Sequence, residues 1–322
     1  MKNSLFIPNI LPSEHVFGHL ARTILLNGVI DKHNVQSTLS GESRALIAKP
    51  TYQPFMGPLV NELAEHFELE VESIYLKHSM LGFYRHPMDC GKLTQVLQNK
   101  IRKDIYSPGA ISFNTAKWRF CTDCISQDRD QYGTAYWHVE HQLPTALTCH
   151  VHENVLLLSE CDNCESDIKD LREHPVPVSR CKKCDGIHLS KKMELNSTQK
   201  WIQDAGLELF RDDSTFVDSQ YKYAVTYELP YRFRYMHGVN GRNNIFVCEE
   251  VQKIFYSWLM DHQLDLFFSN EIAIESLKAA RIDRISFYPL AAPIVLHILW
   301  LRFLGAQSIK EAFCDVSSAN VA

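Results

Sequence analysis

What this 322-residue sequence lacks narrows it first. It has no surplus of positive charge: 33 Lys and Arg stand against 38 Asp and Glu, a formal net charge of -5. A protein that coats nucleic acid by bulk charge is basic, so any contact with nucleic acid is expected to be local or assisted by a partner. It lacks a long apolar run. The most apolar stretch, Pro289 to Leu304, is 16 residues and contains His297 and Arg302. A spanning helix needs about 20 apolar residues, so this stretch reads as a buried helix and no membrane association is expected. A secretory leader is not expected either, because the apolar start of MKNSLFIPNILPSE is broken by Pro8 and Asn9. The expected location is the cytoplasm, where thiols stay reduced. There is no G-x-x-x-x-G-K-[ST] phosphate loop and no G-x-S-x-G elbow. His138-Val-Glu140 matches half of a zinc-deaminase signature, but the P-C-x-x-C half is missing, since Glu160 precedes Cys161 and Arg180 precedes Cys181. Nothing pairs a nucleophile with a base, and the chain is not read as an enzyme.

What is present is cysteine in a metal-type spacing. Cys121 and Cys124 are followed, after 24 intervening residues, by Cys149 and His152. Cys161 and Cys164 precede Cys181 and Cys184, with 16 residues between the pairs, which is a four-cysteine ribbon spacing. Two donors two residues apart on a tight turn can bite one ion, and thiolate with imidazole is the donor set zinc favours. Two structural zinc ions are therefore expected, each with four protein donors and no open position. The segment is too short and polar to fold alone, so metal binding would supply its folding energy. The pairing of the two sets stays open at this point, and His150 is an alternative to His152. Lys182 and Lys183, inside the last pair, are placed to offset the charge of four thiolates. The remaining cysteines, Cys90, Cys248 and Cys314, read as small buried hydrophobes.

The rest of the chain reads as mainly α. The expected organisation is a helical N-terminal domain over 1–115, a tandem zinc-binding module over 116–190 and a helical C-terminal domain over 191–322. Ser13 is placed to cap a first helix in which Val16, Phe17, Leu20, Ala21, Ile24 and Leu25 share a face, with Gly28 near its stop. Leu59, Leu63 and Phe67 would line a second helix, and Val71, Ile74, Tyr75 and His78 a third. A short turn between them is the helix-turn-helix pattern, although Glu62, Glu65, Glu68, Glu70 and Glu72 make the pair acidic. Further helices are expected around 200–209, 247–266, 272–280 and up to Leu304. Residues 221–246 interleave Lys222, Arg232, Arg234 and Arg242 with aromatic rings. That pattern suits a nucleic-acid backbone and equally suits an amphipathic segment packing its rings inward.

The stretch from Cys121 to His152 resembles the TnsD/TniQ family of transposition target selectors. Members carry C-P-x-C, then Y-G-x-x-Y/F-W-x-x-x-x-x-L-P, then C-x-x-H. Here these read Cys121-Thr122-Asp123-Cys124, Tyr132-Gly133, Tyr136-Trp137, Leu143-Pro144 and Cys149-His150-Val151-His152, with Thr122 in place of the family proline. LPSEHVFGHLARTI resembles the family's opening, ESIYLKHSMLGFY its approach to the zinc module, and the segment from Ile285 to Phe313 its closing hairpin. The resemblance implies a non-enzymatic adaptor that recruits the AAA+ ATPase TnsC. It implies either direct reading of an attachment site or docking on a CRISPR Cascade–guide RNA complex, often as a homodimer. The length is expected of a short TniQ-type member or a truncated TnsD. A competing reading is a sequence-specific transcription regulator with structural zinc.

Overall fold

The computed structural model describes residues 6–28, 50, 56–85, 94–95, 97, 117–211, 249–268 and 294–309. In chain order the α-helices are α1 (Val16–Leu26), α2 (Met56–Phe67), α3 (Val71–His78), α4 (Leu81–Tyr84), α5 (Thr122–Tyr132), α6 (Ser197–Arg211), α7 (Glu249–Asp261) and α8 (Ile294–Phe303). Short 3-10 turns cover Glu140–Gln142 and Leu264–Phe267. Among the described residues β structure is confined to isolated antiparallel bridges, so the expectation of a mainly helical protein holds. The segments 212–248 and 269–293 lie outside the described residues. With them go Lys222, Arg232, Arg234 and Arg242, the helix expected at 272–280, and Cys90, Cys248 and Cys314.

The chain divides into two compact units, one holding α1 to α3 together with residues 117–194, the other beginning again at Leu195. In the first unit α1 buries Val16, Phe17, Leu20, Ala21 and Ile24, the stripe its periodicity predicts, and packs on α2. Leu25 does not join them: it lies at the margin of the stripe and is about half exposed. The helix start also differs from expectation. Ser13 has a φ of 51° and caps nothing; His15 is the cap, its Nδ1 accepting the Phe17 N–H at 3.2 Å. The reason is non-local. His15 N–H donates to the Trp137 carbonyl and Val139 N–H to the Ser13 carbonyl, both at 2.8 Å. That pairing holds Glu14 and His15 extended and postpones the helix to Val16. It also brings α1 so close to Trp137 that a Cβ on Gly18 would lie 2.8 Å from Trp137 Cβ.

Three imidazoles tie this unit together through backbone carbonyls: His15 Nε2 to Pro50 at 2.8 Å, His19 Nε2 to Pro8 at 2.8 Å and His78 Nδ1 to Glu14 at 2.9 Å. For His15 both ring nitrogens are committed, one accepting and one donating, which only the neutral ring can do. Burial, with the neighbouring His78 as a lesser cause, holds its pKa down from 6.5 to about 4. A depressed folded-state pKa gives stability that is fully present above 6.5 and is lost as pH falls towards 4, on the order of 3 kcal/mol in all. His15→Asn keeps a capping oxygen and an amide donor but does not titrate. Its stability, measured by urea unfolding from pH 7 to pH 5, is expected to fall less steeply than that of the parent chain.

The helices α2 and α3 form the expected pair, joined by Glu68, Leu69 and Glu70, with Leu59, Leu63, Ile74 and Tyr75 buried between them and their neighbours. Glu62, Glu65, Glu68, Glu70 and Glu72 are all exposed. In the second unit α6 packs against α8, which is buried at every position from Ile294 to Leu301, His297 included. The α7 helix stops at Asp261, short of the expected 266. Gln263 turns left-handed at φ 53°, and the freed carbonyls of His262 and Gln263 accept from Gln199 Nε2 at 3.3 and 3.1 Å. No helix among the described residues is long and apolar enough to cross a membrane.

Candidate metal centres

The first cluster is built by α5 and a turn. Cys121 is the N-cap of α5 and Cys124 sits in its first turn. Thr122, where the family pattern has proline, is therefore the first helical residue, a position whose N–H has no intrahelical partner and which proline suits. The exchange of proline for threonine thus removes no backbone bond. Cys149 and His152 lie on a turn closed by Cys149 N–H to the Val155 carbonyl at 2.7 Å and Val155 N–H to the His152 carbonyl at 3.1 Å. Cys121, Cys124, Cys149 and His152 bring one donor atom each to within 4.8 Å of the others.

Their separations fit one ion. Metal–sulfur bonds of about 2.3 Å and metal–nitrogen bonds of about 2.0 Å give tetrahedral edges of about 3.8 Å between sulfurs and about 3.5 Å between sulfur and nitrogen. Cys124 Sγ to Cys149 Sγ is 3.6 Å, and His152 Nδ1 lies 3.6, 3.3 and 3.7 Å from the sulfurs of Cys121, Cys124 and Cys149. Such crowding is unfavourable for free thiols. Contact with Cys121 and Cys149, together with burial, pushes the Cys124 thiol up, while contact with Cys121 and Cys124 pulls Cys149 down. A divalent cation resolves that competition by binding thiolates in place of protons.

The second cluster consists of two copies of one turn. Cys161 N–H donates to the Ser166 carbonyl and Glu165 N–H to the Cys161 carbonyl; Cys181 and Asp185 repeat both bonds with Gly186 and Cys181, all four at 2.8 to 2.9 Å. Glu165 and Asp185, each next after the second cysteine, are left-handed at φ 54° and 57°. Cys161 to Cys184 and Cys164 to Cys181 are both 3.7 Å, sulfur to sulfur, and all four sulfurs fall within 4.8 Å of one another. The grouping that spacing left open is thus Cys121, Cys124, Cys149 and His152 in one cluster and the four later cysteines in the other. The two differ in exposure: the first has three buried cysteines, whereas Cys184 is exposed. Lys182 does not turn to the sulfurs; its ammonium donates to the Glu173 carbonyl.

His150 does not close the first cluster. Its Nε2 is 4.0 Å from Glu140 Oε1, and it groups instead with His141 and Cys149. His138, in the half-signature set aside above, bonds Asp128 Oδ2 at 2.9 Å under the stacked ring of Tyr136. One residue that spacing did not single out stands against the first cluster: His141, whose Nε2 is 3.6 Å from Cys149 Sγ and 3.8 Å from Cys124 Sγ. No donor-spacing pattern includes it, because it reaches the sulfurs from the 3-10 turn rather than from either Cys-x-x pair.

A search among curated proteins returned no match to the chain. The family model described as TniQ matches residues 5–156. That stretch contains α1 to α5 and the whole first cluster, and its alignment ends four residues past His152. The match to residues 5–156 supports the TniQ family for this chain.

Proposed function

We propose that this chain is a target-site selection adaptor of a Tn7-like transposition system and that each of its two clusters holds a structural zinc ion. The observation that carries the reading is the closed first cluster inside the TniQ match. Three thiolates and an imidazole, or four thiolates, in tetrahedral spacing suit zinc over harder cations. Four protein donors leave no position for a reacting water, so the ion supplies folding energy and stiffness. The residues around it do the rest. Backbone N–H groups of Val151 and His152 donate to Cys149 Sγ, and that of Lys183 to Cys181 Sγ, each at 3.4 Å; they spread the thiolate charge and hold the turns in register.

In this reading the stiffened middle presents helical surfaces to separate partners: the AAA+ ATPase TnsC on one side, target DNA or a Cascade–guide RNA complex on the other. The exposed glutamates of α2 and α3 repel phosphate, which argues against that helix pair as a DNA reader and against an autonomous transcription regulator. Lys222, Arg232, Arg234 and Arg242 are the proposed backbone contacts. The test is co-elution of the purified chain with a TnsC-type ATPase, alongside DNA binding measured against salt. Co-elution, with a shallower salt slope for the Arg232→Ala, Arg234→Ala double variant, is the expected outcome. Tight operator binding with no ATPase association would replace the adaptor by the regulator.

A further inference from the structure

We propose that His141 is an outer-shell donor of the first metal centre, its Nε2–H hydrogen-bonding the Cys149 and Cys124 thiolates and slowing loss of the ion. The proposal rests on the reading that this cluster holds a metal. His141 is about 1% exposed, and its Nε2 faces two sulfurs at 3.6 and 3.8 Å while the four-donor set is completed by His152. A metal-bound thiolate has no proton and can only accept. The nitrogen facing two such sulfurs must carry the hydrogen, which leaves Nδ1 as the acceptor nitrogen of the ring.

The surroundings hold this donor in place from both sides of the cluster. Gln142, next in the chain, clamps the backbone of Arg119: its Oε1 accepts the Arg119 N–H at 2.9 Å, and its Nε2 donates to the carbonyls of Arg119 at 2.8 Å and His138 at 2.9 Å. The Arg119 guanidinium then donates to the carbonyls of Leu143 at 2.6 Å and Ala146 at 2.5 Å. The 3-10 turn that carries His141 is thereby tied two residues ahead of Cys121 and three residues ahead of Cys149. With the N–H groups of Val151 and His152, three donors converge on Cys149. The second cluster repeats the device with a hydroxyl: Ser166 Oγ is 3.1 Å from Cys164 Sγ and 3.3 Å from Cys181 Sγ. Donors of this kind draw charge off the sulfur, making it less basic and less easily displaced from the ion.

The full-length chain loaded with Co(II) reports on this directly. His141→Phe keeps a ring and removes the donor; His141→Gln keeps an amide donor. The Phe variant is expected to retain two ions and the tetrahedral spectrum. Its sulfur-to-cobalt charge-transfer band should move to lower energy, and one ion should pass to a chelator about ten-fold faster than in the parent, with the Gln variant close to the parent. An unmoved band and parental release rate would overturn the outer-shell role while leaving the metal centre intact. A spectrum showing loss of the nitrogen ligand would make His141 the ligand and overturn it as well. A parent chain that binds no metal would remove the premise itself. Should the Phe variant not fold, nitrogen NMR of the zinc-loaded parent decides: the proton on Nε2 of His141 supports the role, and the proton on Nδ1 overturns it.

Discussion

Removing the metal from this chain should unfold residues 143–196. That segment is described throughout yet contains neither α-helix nor strand, only turns and isolated bridges. In the proposed reading its backbone order depends on an ion in each cluster, and structural zinc contributes on the order of 10 kcal/mol to the folding of small sites. The parent chain is expected to carry about two zinc ions. Cys161→Ser should reduce that to about one and destabilise the ribbon by several kcal/mol, read by elemental analysis and thermal melting. Cys124→Ser should be more damaging, because all three cysteines of its cluster are buried. The two losses should also differ in rate: the second cluster, with Cys184 exposed, should yield its ion to a chelator first. A folded parent sample with no bound metal would refute the assignment of both clusters.

The second large effect is expected at a buried ion pair. Arg22 grips Glu14 with two hydrogen bonds, Nε to Oε1 at 2.7 Å and Nη2 to Oε2 at 2.6 Å, and Nη2 also donates to the Asn9 carbonyl at 2.8 Å. Side-chain exposure is 4% for Arg22 and 0% for Glu14. Breaking a buried pair by removing one member leaves an uncompensated charge and costs about 3–5 kcal/mol. Arg22→Met should therefore lower stability by that order in urea unfolding. The double variant Arg22→Met, Glu14→Gln should be less destabilised than the sum of the single changes, since no lone charge remains. Additive losses would show that the pair is not coupled. The pair matters to the domain because the Glu14 backbone carbonyl also receives His78, and Glu14 bridges to His138 beside the first cluster.

Much of this architecture was legible because its causes are local. The apolar stripe of α1, the pair α2 and α3, the helix from Ser197 and the buried helix ending near Leu304 all follow from side-chain period. The donor pairs were legible for the same reason: two ligands two residues apart chelate from one turn whatever the rest of the chain does. Where expectation and structure part, a distant segment intervenes. Ser13 lost the cap to His15 because residues 137 and 139 pair with the residues ahead of α1. Leu25, at the margin of the stripe, is about half exposed although its period places it with the core residues. Helix α7 ended early where Gln263 turns left-handed and the side chain of Gln199 meets the carbonyls just past the helix.

By itself the sequence determined the donor types, their bite and the helical period, since each depends on neighbours within a few residues along the chain. Only the tertiary structure decided which donors cluster together, that Glu14 and Arg22 are sealed together, and that His141 faces two sulfurs. Those outcomes depend on segments brought together by packing, and spacing along the chain carries no record of distances in space.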